Sequence, residues 1–149
     1  MKLEDLEIYN LSMTLSDKVW DFVIKWDYFA KDTIGKQWVR AFDSVSANIS
    51  EGFGRNTYRD SRSFYYIARG SLYESKTWLD KAKRRKLISE EEYKTLYSEH
   101  NVLGYKLNNF IKTQTLLVDH KPPIKGSRKI IELILRSSYH ERSESYHQR

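Results

Sequence analysis

The chain has 149 residues, enough for one domain, with 40% hydrophobic residues, 31% charged residues and a formal net charge of +6. It contains no cysteine, which excludes disulfides and thiolate-ligated metals and suits a reducing compartment. No apolar run approaches a membrane span, and the acidic start MKLEDLEIYN lacks the order of a secretory leader, so the expectation is a cytoplasmic protein with no membrane partner.

Ile8, Leu11, Leu15, Val19, Phe22, Trp26 and Phe29 recur at steps of three and four and predict a first helix over about residues 5–30. Ile34, Trp38, Phe42, Val45, Ile49 and Phe53 predict a second over about residues 33–53, weakened at its end by Gly52 and Gly54. Thr57-x-x-Asp60 resembles a capping box with Asp in place of Glu. It opens a third helix to about residue 86, with Phe64, Ala68, Leu72, Ser75, Leu79 and Ala82 facing inward. Ser89-x-x-Glu92 is a full capping box and opens a fourth helix. Its stripe of Tyr93, Leu96, His100, Leu103, Leu107 and Phe110 runs to about residue 115. No segment sustains the alternation of a strand. The fold class expected is all-α, an up-and-down four-helix bundle over residues 1–118.

The prolines and glycine of HKPPIKG then break the helix. Residues 119–149 form a basic C-terminal extension, with a short helix expected at about 128–137 and disorder beyond it. Its apolar run at residues 130–135 is expected to dock on the bundle or a neighbouring copy, or else to order with a partner.

The stretch RAFDSVSANISEGFGR carries polar residues that a helix does not need for its own stability. Ser44, Asn48, Glu51 and Arg55 fall at spacings of four, three and four and share one face beside Val45 and Ile49. The third helix carries IARGSLYES, with Gly70 and Ser71 in mid-helix. A mid-helix Gly costs about 1 kcal/mol relative to Ala, which points to close packing. The second and third helices are therefore expected to meet through these small residues, with Glu51, Glu74, Arg55 and Arg69 in one polar network. Asn48, Glu51, Arg55 and Glu74 also admit an acid–base reading. The structural reading is preferred, because no nucleophile, base and orienting group accompany them.

Other motifs carry less. GFGRNTYR lacks the spacing and the Gly-Lys-Ser/Thr ending of a phosphate loop, although Arg55 and Arg59 remain available to an RNA backbone. His100, His120, His140 and His147 form no metal-binding pattern, and no metal or cofactor is expected. Lys81, Lys83, Arg84, Arg85 and Lys86 make a basic helix end suited to phosphates, with Tyr65, Tyr66 and Tyr73 upstream as candidate stacking platforms. The alternative is a solvated helix end with core aromatics.

At these residues the chain resembles a known family. The matching positions are Arg40, Ser44, Val45, Asn48, Ile49, Glu51, Gly52 and Arg55, then Ile67, Ala68, Gly70, Ser71 and Glu74. Together they look like the four-helix bundles encoded within intervening sequences of 23S ribosomal RNA genes, also labelled S23 ribosomal protein. The resemblance covers about residues 3–115. Ser46 stands where the family commonly has Pro, and Asp43 where it has a small or apolar residue; the segment after Pro122 has no counterpart. The resemblance implies a ring-shaped homo-oligomer, typically a homopentamer. It also implies kinship with accessory proteins of diversity-generating retroelements, basic bundles that bind nucleic acid and a reverse transcriptase. Residues Arg40, Ser44, Asn48, Glu51, Gly52, Arg69, Gly70, Ser71 and Glu74 then belong to a structural or interface set. The expectation is a non-catalytic protein that binds structured RNA through its basic surface, or a scaffold for a protein partner such as a reverse transcriptase.

Overall fold

The structure, a computed structural model, describes residues 1–119. A 3-10 turn at Leu3–Asp5 leads into α1 (Glu7–Val23). A helical turn at Tyr28–Ala30 and a π-helical turn at Lys31–Gly35 lead into α2 (Lys36–Phe53). Helices α3 (Tyr58–Arg84) and α4 (Glu90–Asp119) complete a four-helix bundle, with no strand among the described residues. Each helix packs on its neighbours in ring order; the α2–α3 seam is the most extensive and the α1–α4 seam the sparsest.

The predicted stripes build the core. Val19, Val45, Ile49, Ala68, Leu103 and Leu107, drawn from all four helices, are fully buried. Burial of each Val, Ile or Leu contributes about 1.5–3 kcal/mol. Asp43 accepts a hydrogen bond from the Ser16 hydroxyl and so ties α2 to α1.

The predicted caps form with local differences. The Ser89 hydroxyl accepts from the Glu92 N–H at 3.1 Å, and the Ser89 N–H donates to Glu92 Oε2 at 2.6 Å. At the start of α3 the Thr57 hydroxyl oxygen accepts from the Asp60 N–H at 3.1 Å. The Asp60 carboxylate accepts from the Thr57 hydroxyl rather than from its backbone, at 2.8 Å.

Two expectations need correction. The first helix stops at Val23, short of residue 30. Asp27 takes an extended conformation, and its carboxylate accepts from the Ala30 N–H at 3.0 Å, capping a new helical start. The new start frees Phe29 from the stripe, and it is 77% exposed. On α3 the inward aromatic is Tyr65, not Phe64; Tyr65 is buried and packs edge-on against Phe110 at 4.9 Å. The short helix expected at 128–137 lies outside the described residues.

Candidate nucleic-acid interface

Helix α3 ends in a specific backbone arrangement. The Leu87 N–H donates to the Ala82 carbonyl at 2.9 Å, and the Lys86 N–H donates to the Lys83 carbonyl at 3.0 Å. This is the Schellman closure, which puts its penultimate residue in the left-handed region, a place usually held by Gly. Here that residue is Lys86, with φ 57°. A side chain in that conformation costs about 1 kcal/mol.

The five cations of this end divide by their surroundings. Lys81 lies over the Trp78 ring at 5.5 Å. Lys83 sits 3.2 Å from the Glu90 carboxylate and 4.1 Å from the centre of the Tyr93 ring. The Tyr93 hydroxyl donates to Asp80 at 2.9 Å. Burial, then that bond, push the phenol up to about 12, so it stays a donor. Arg84, Arg85 and Lys86 are exposed and hold no ion pair among the described residues. They stand at the negative end of the α3 dipole, which favours cations there.

Arg55 and Arg59 are elsewhere. They lie at the opposite end of α3, whose 27 residues span about 40 Å. Arg55 pairs with Glu51 one turn back and covers the Phe64 ring at 4.3 Å. Arg59 is exposed. One protomer therefore presents two separate cationic groups. Of the three candidate stacking tyrosines, Tyr66 and Tyr73 are exposed and Tyr65 is in the core.

The polar set of α2 and α3 resolves into separate contacts, one of them to α4. The Asn48 amide donates to the Ser44 carbonyl at 2.7 Å within α2. Arg69 donates to Asn108 at 3.4 Å and lies 4.8 Å from the Tyr66 ring. Glu74 accepts from the Trp78 indole at 3.3 Å. Arg40 is exposed. Glu51 with Arg55, Arg69 with Asn108 and Glu74 with Trp78 are thus three separate contacts.

The small residues differ more sharply. Gly52 is buried, and a Cβ there would meet Tyr65 Cε1 at 2.7 Å and the Ser61 carbonyl at 3.0 Å. Here α2 and α3 do approach closely. At Gly70 a Cβ would meet nothing within 4 Å. Gly70 is exposed and shares an outward face with Ile67 and Glu74, with Ser71 half-buried at its edge. The expected close approach therefore runs through Gly52 and not through Gly70.

Periodicity gave no warning of two features. Lys86 takes the left-handed position although no glycine marks it. Trp20, Ile24, Tyr28 and Phe29, at 56, 46, 81 and 77% exposure, make an apolar group around the α1–α2 turn. A stripe of apolar letters cannot show that a cap at Asp27 turns its last member, Phe29, outward.

His100 is buried, donates from Nε2 to the Leu72 carbonyl at 2.8 Å and packs edge-on against Phe42. Burial holds its pKa below the ordinary value, which favours the neutral ring. The other three histidines lie outside the described residues, which contain no cluster of His, Asp and Glu able to hold a metal. No described helix is long and apolar enough to cross a membrane. The described residues include an open groove of about 430 Å³ between α1 and α4, bridged by Lys18 and Glu99 at 2.5 Å, and another of about 690 Å³ between α3 and α4.

A model of the family described as 23S rRNA-intervening sequence protein matches residues 4–109, which takes in all of α1, α2 and α3 and most of α4. A crystal structure at 1.70 Å of a protein of unknown function, from the S23 ribosomal protein family of Bacteroides thetaiotaomicron VPI-5482, is similar in fold. Its TM-score is 0.63 at 21% identity, over 70% of this chain and 95% of that one. No curated protein matches the chain.

Proposed function

The chain belongs to the 23S rRNA-intervening sequence protein family, and from that premise we propose a non-catalytic, oligomeric helical bundle that binds structured RNA through the cationic end of α3. One observation carries this reading. Arg84, Arg85 and Lys86 are exposed without ion pairs among the described residues, and Lys86 occupies a left-handed position that Gly would fill at lower cost. A cation kept there against the stability of the fold fits selection for phosphate binding.

Self-assembly is the second part of the proposal. Ile67, Gly70 and Glu74 present an open face in mid-helix, and a second copy covering it would make use of a glycine that serves no close approach among the described residues. The closed ring of five is the form that the family resemblance implies. Repetition of a weak cationic patch around such a ring multiplies its affinity without new contacts.

The test is a titration of nuclease-treated protein against a large-subunit ribosomal RNA fragment, an unrelated structured RNA and duplex DNA, each at low and near-physiological salt. The reading predicts that structured RNA binding persists at the higher salt. It also predicts that joint replacement of Arg84, Arg85 and Lys86 by Ala weakens binding by at least about ten-fold. Equal loss of all three probes on raising the salt contradicts it.

A second reading has its own support. The apolar group of Trp20, Ile24, Tyr28 and Phe29 suits a protein partner, such as a retroelement reverse transcriptase, on an oligomeric scaffold. That reading predicts capture that survives nuclease, ignores the three α3 cations and is lost when Tyr28 and Phe29 become Ser.

A further inference from the structure

The groove between α3 and α4 opens beside the last described turns of α4. It runs along α4 from Asn108 to Leu116, a length of about 12 Å. Leu116 is three residues before Asp119, the last residue of α4. We propose that residues 130–135 of the same chain, IIELIL, seat in this groove.

The lining suits that occupant. Tyr66 and Leu116 are 41 and 59% exposed and flank the buried Ile111. Exposed apolar surface of this kind, gathered in a groove, favours a covering apolar segment. Arg69 and Lys112 stand in the same lining. Arg69 has a single long hydrogen bond, to Asn108 at 3.4 Å, and Lys112 holds no ion pair among the described residues. The run carries one acidic residue, Glu132, among five aliphatic ones. Its composition therefore matches an apolar floor edged by two cations. The basic residues Arg128, Lys129 and Arg136 fall outside the run.

The chain length also suits it. Residues 120–129 separate the run from α4 and reach up to about 35 Å when extended. Pro122 and Pro123 deny α4 a continuation, and Gly126 gives the backbone freedom to reverse. A six-residue run is about 9 Å long as a helix, within the length of the groove. So short a tether holds the run near its groove at a high effective concentration, which favours the same chain over a second copy.

The inference is independent of RNA binding. The natural chain has no cysteine, so paired cysteines report proximity without background. The full-length chain would carry Leu116→Cys with Ile130→Cys, Leu133→Cys or Leu135→Cys in turn, and Leu116→Cys with Ser145→Cys as the distant control. The expected result is an intramolecular disulfide, visible as a mobility shift at protomer mass. At least one pair from the run should form it about ten-fold faster than the control. Equal rates overturn docking, and disulfides found only at dimer mass overturn the same-chain occupant. A second readout uses charge. Arg69→Glu and Glu132→Arg should each lower the melting temperature, and the double exchange should restore it; purely additive losses overturn the pairing.

Discussion

Gly52 and Gly70 sit in the two helices of the largest seam, and a Cβ on the first would meet Tyr65 at 2.7 Å while one on the second would meet nothing within 4 Å. Both pay the same conformational cost of about 1 kcal/mol against Ala. At Gly52 the cost is offset inside the protomer, because the missing side chain lets the end of α2 lie on Tyr65 and on the backbone of α3. At Gly70 nothing among the described residues offsets it. The difference shows how one sequence signal serves two purposes: closing a seam within the fold, and leaving a face open to something outside it.

The comparison breaks most readily at Gly52. Gly52→Ala forces Tyr65 or the α3 backbone to move and should destabilise the protein by about 1–3 kcal/mol, read as a lowered melting temperature. In a Tyr65→Leu background the same change should cost less, since the clashing ring carbon is gone. An equal cost in both backgrounds would place the strain elsewhere.

Lys86→Gly comes next and separates fold from function. Relieving the left-handed side chain should stabilise the chain by about 1 kcal/mol, by thermal or urea unfolding. The same variant should bind structured RNA more weakly. Greater stability with unchanged binding would make Lys86 a bystander.

Gly70→Ala should have a smaller effect of opposite sign to Gly52→Ala. In the dilute protomer it should add about 0.5–1 kcal/mol through helix propensity alone. If a second copy covers this face, the methyl group also weakens assembly, and light scattering across a dilution series should show smaller particles than the natural chain. Unchanged particle size would remove Gly70 from the interface.

The smallest effect is that of pH on the inner side of the same helix, where His100 holds the Leu72 carbonyl. Burial lowers the folded pKa below the unfolded value of 6.5. Between these two values the unfolded chain binds more protons than the folded one, so stability rises with pH. His100 thus leaves the fold at full stability above about pH 6.5 and costs it stability as the solution is acidified below that. His100→Gln should flatten this part of the stability profile between pH 5 and pH 7 without erasing it, since carboxylates titrate there too.

The bundle was legible because four apolar stripes keep helical period over most of the described chain, and because Ser89 with Glu92 and Thr57 with Asp60 announce two helix starts. Asp27 was not read as a cap, because Trp26 and Phe29 on either side continued the spacing of the first stripe. Periodicity records which residues are apolar, and it carries no information about a turn that redirects them. The pairings of Glu51 with Arg55 and of Glu74 with Trp78 follow from spacings of four, whereas Arg69 found its partner, Asn108, on another helix, which spacing within α3 does not define. Glycine was the least legible residue, since a missing side chain does not say which neighbour approaches. Lys86 was illegible for the converse reason: its left-handed backbone is set by the helix closure and not by its own preference.

The central claim is that the end of α3 meets phosphates. Its most direct test is the slope of log affinity against log salt for structured RNA, measured for the natural chain and for the Arg84→Ala, Arg85→Ala, Lys86→Ala triple variant. Each phosphate contact contributes about −0.7 to −0.9 to that slope, so the variant should have a slope shallower by about 2–3 for every protomer engaged, with weaker binding throughout. Identical slopes and affinities for the two proteins would contradict the account.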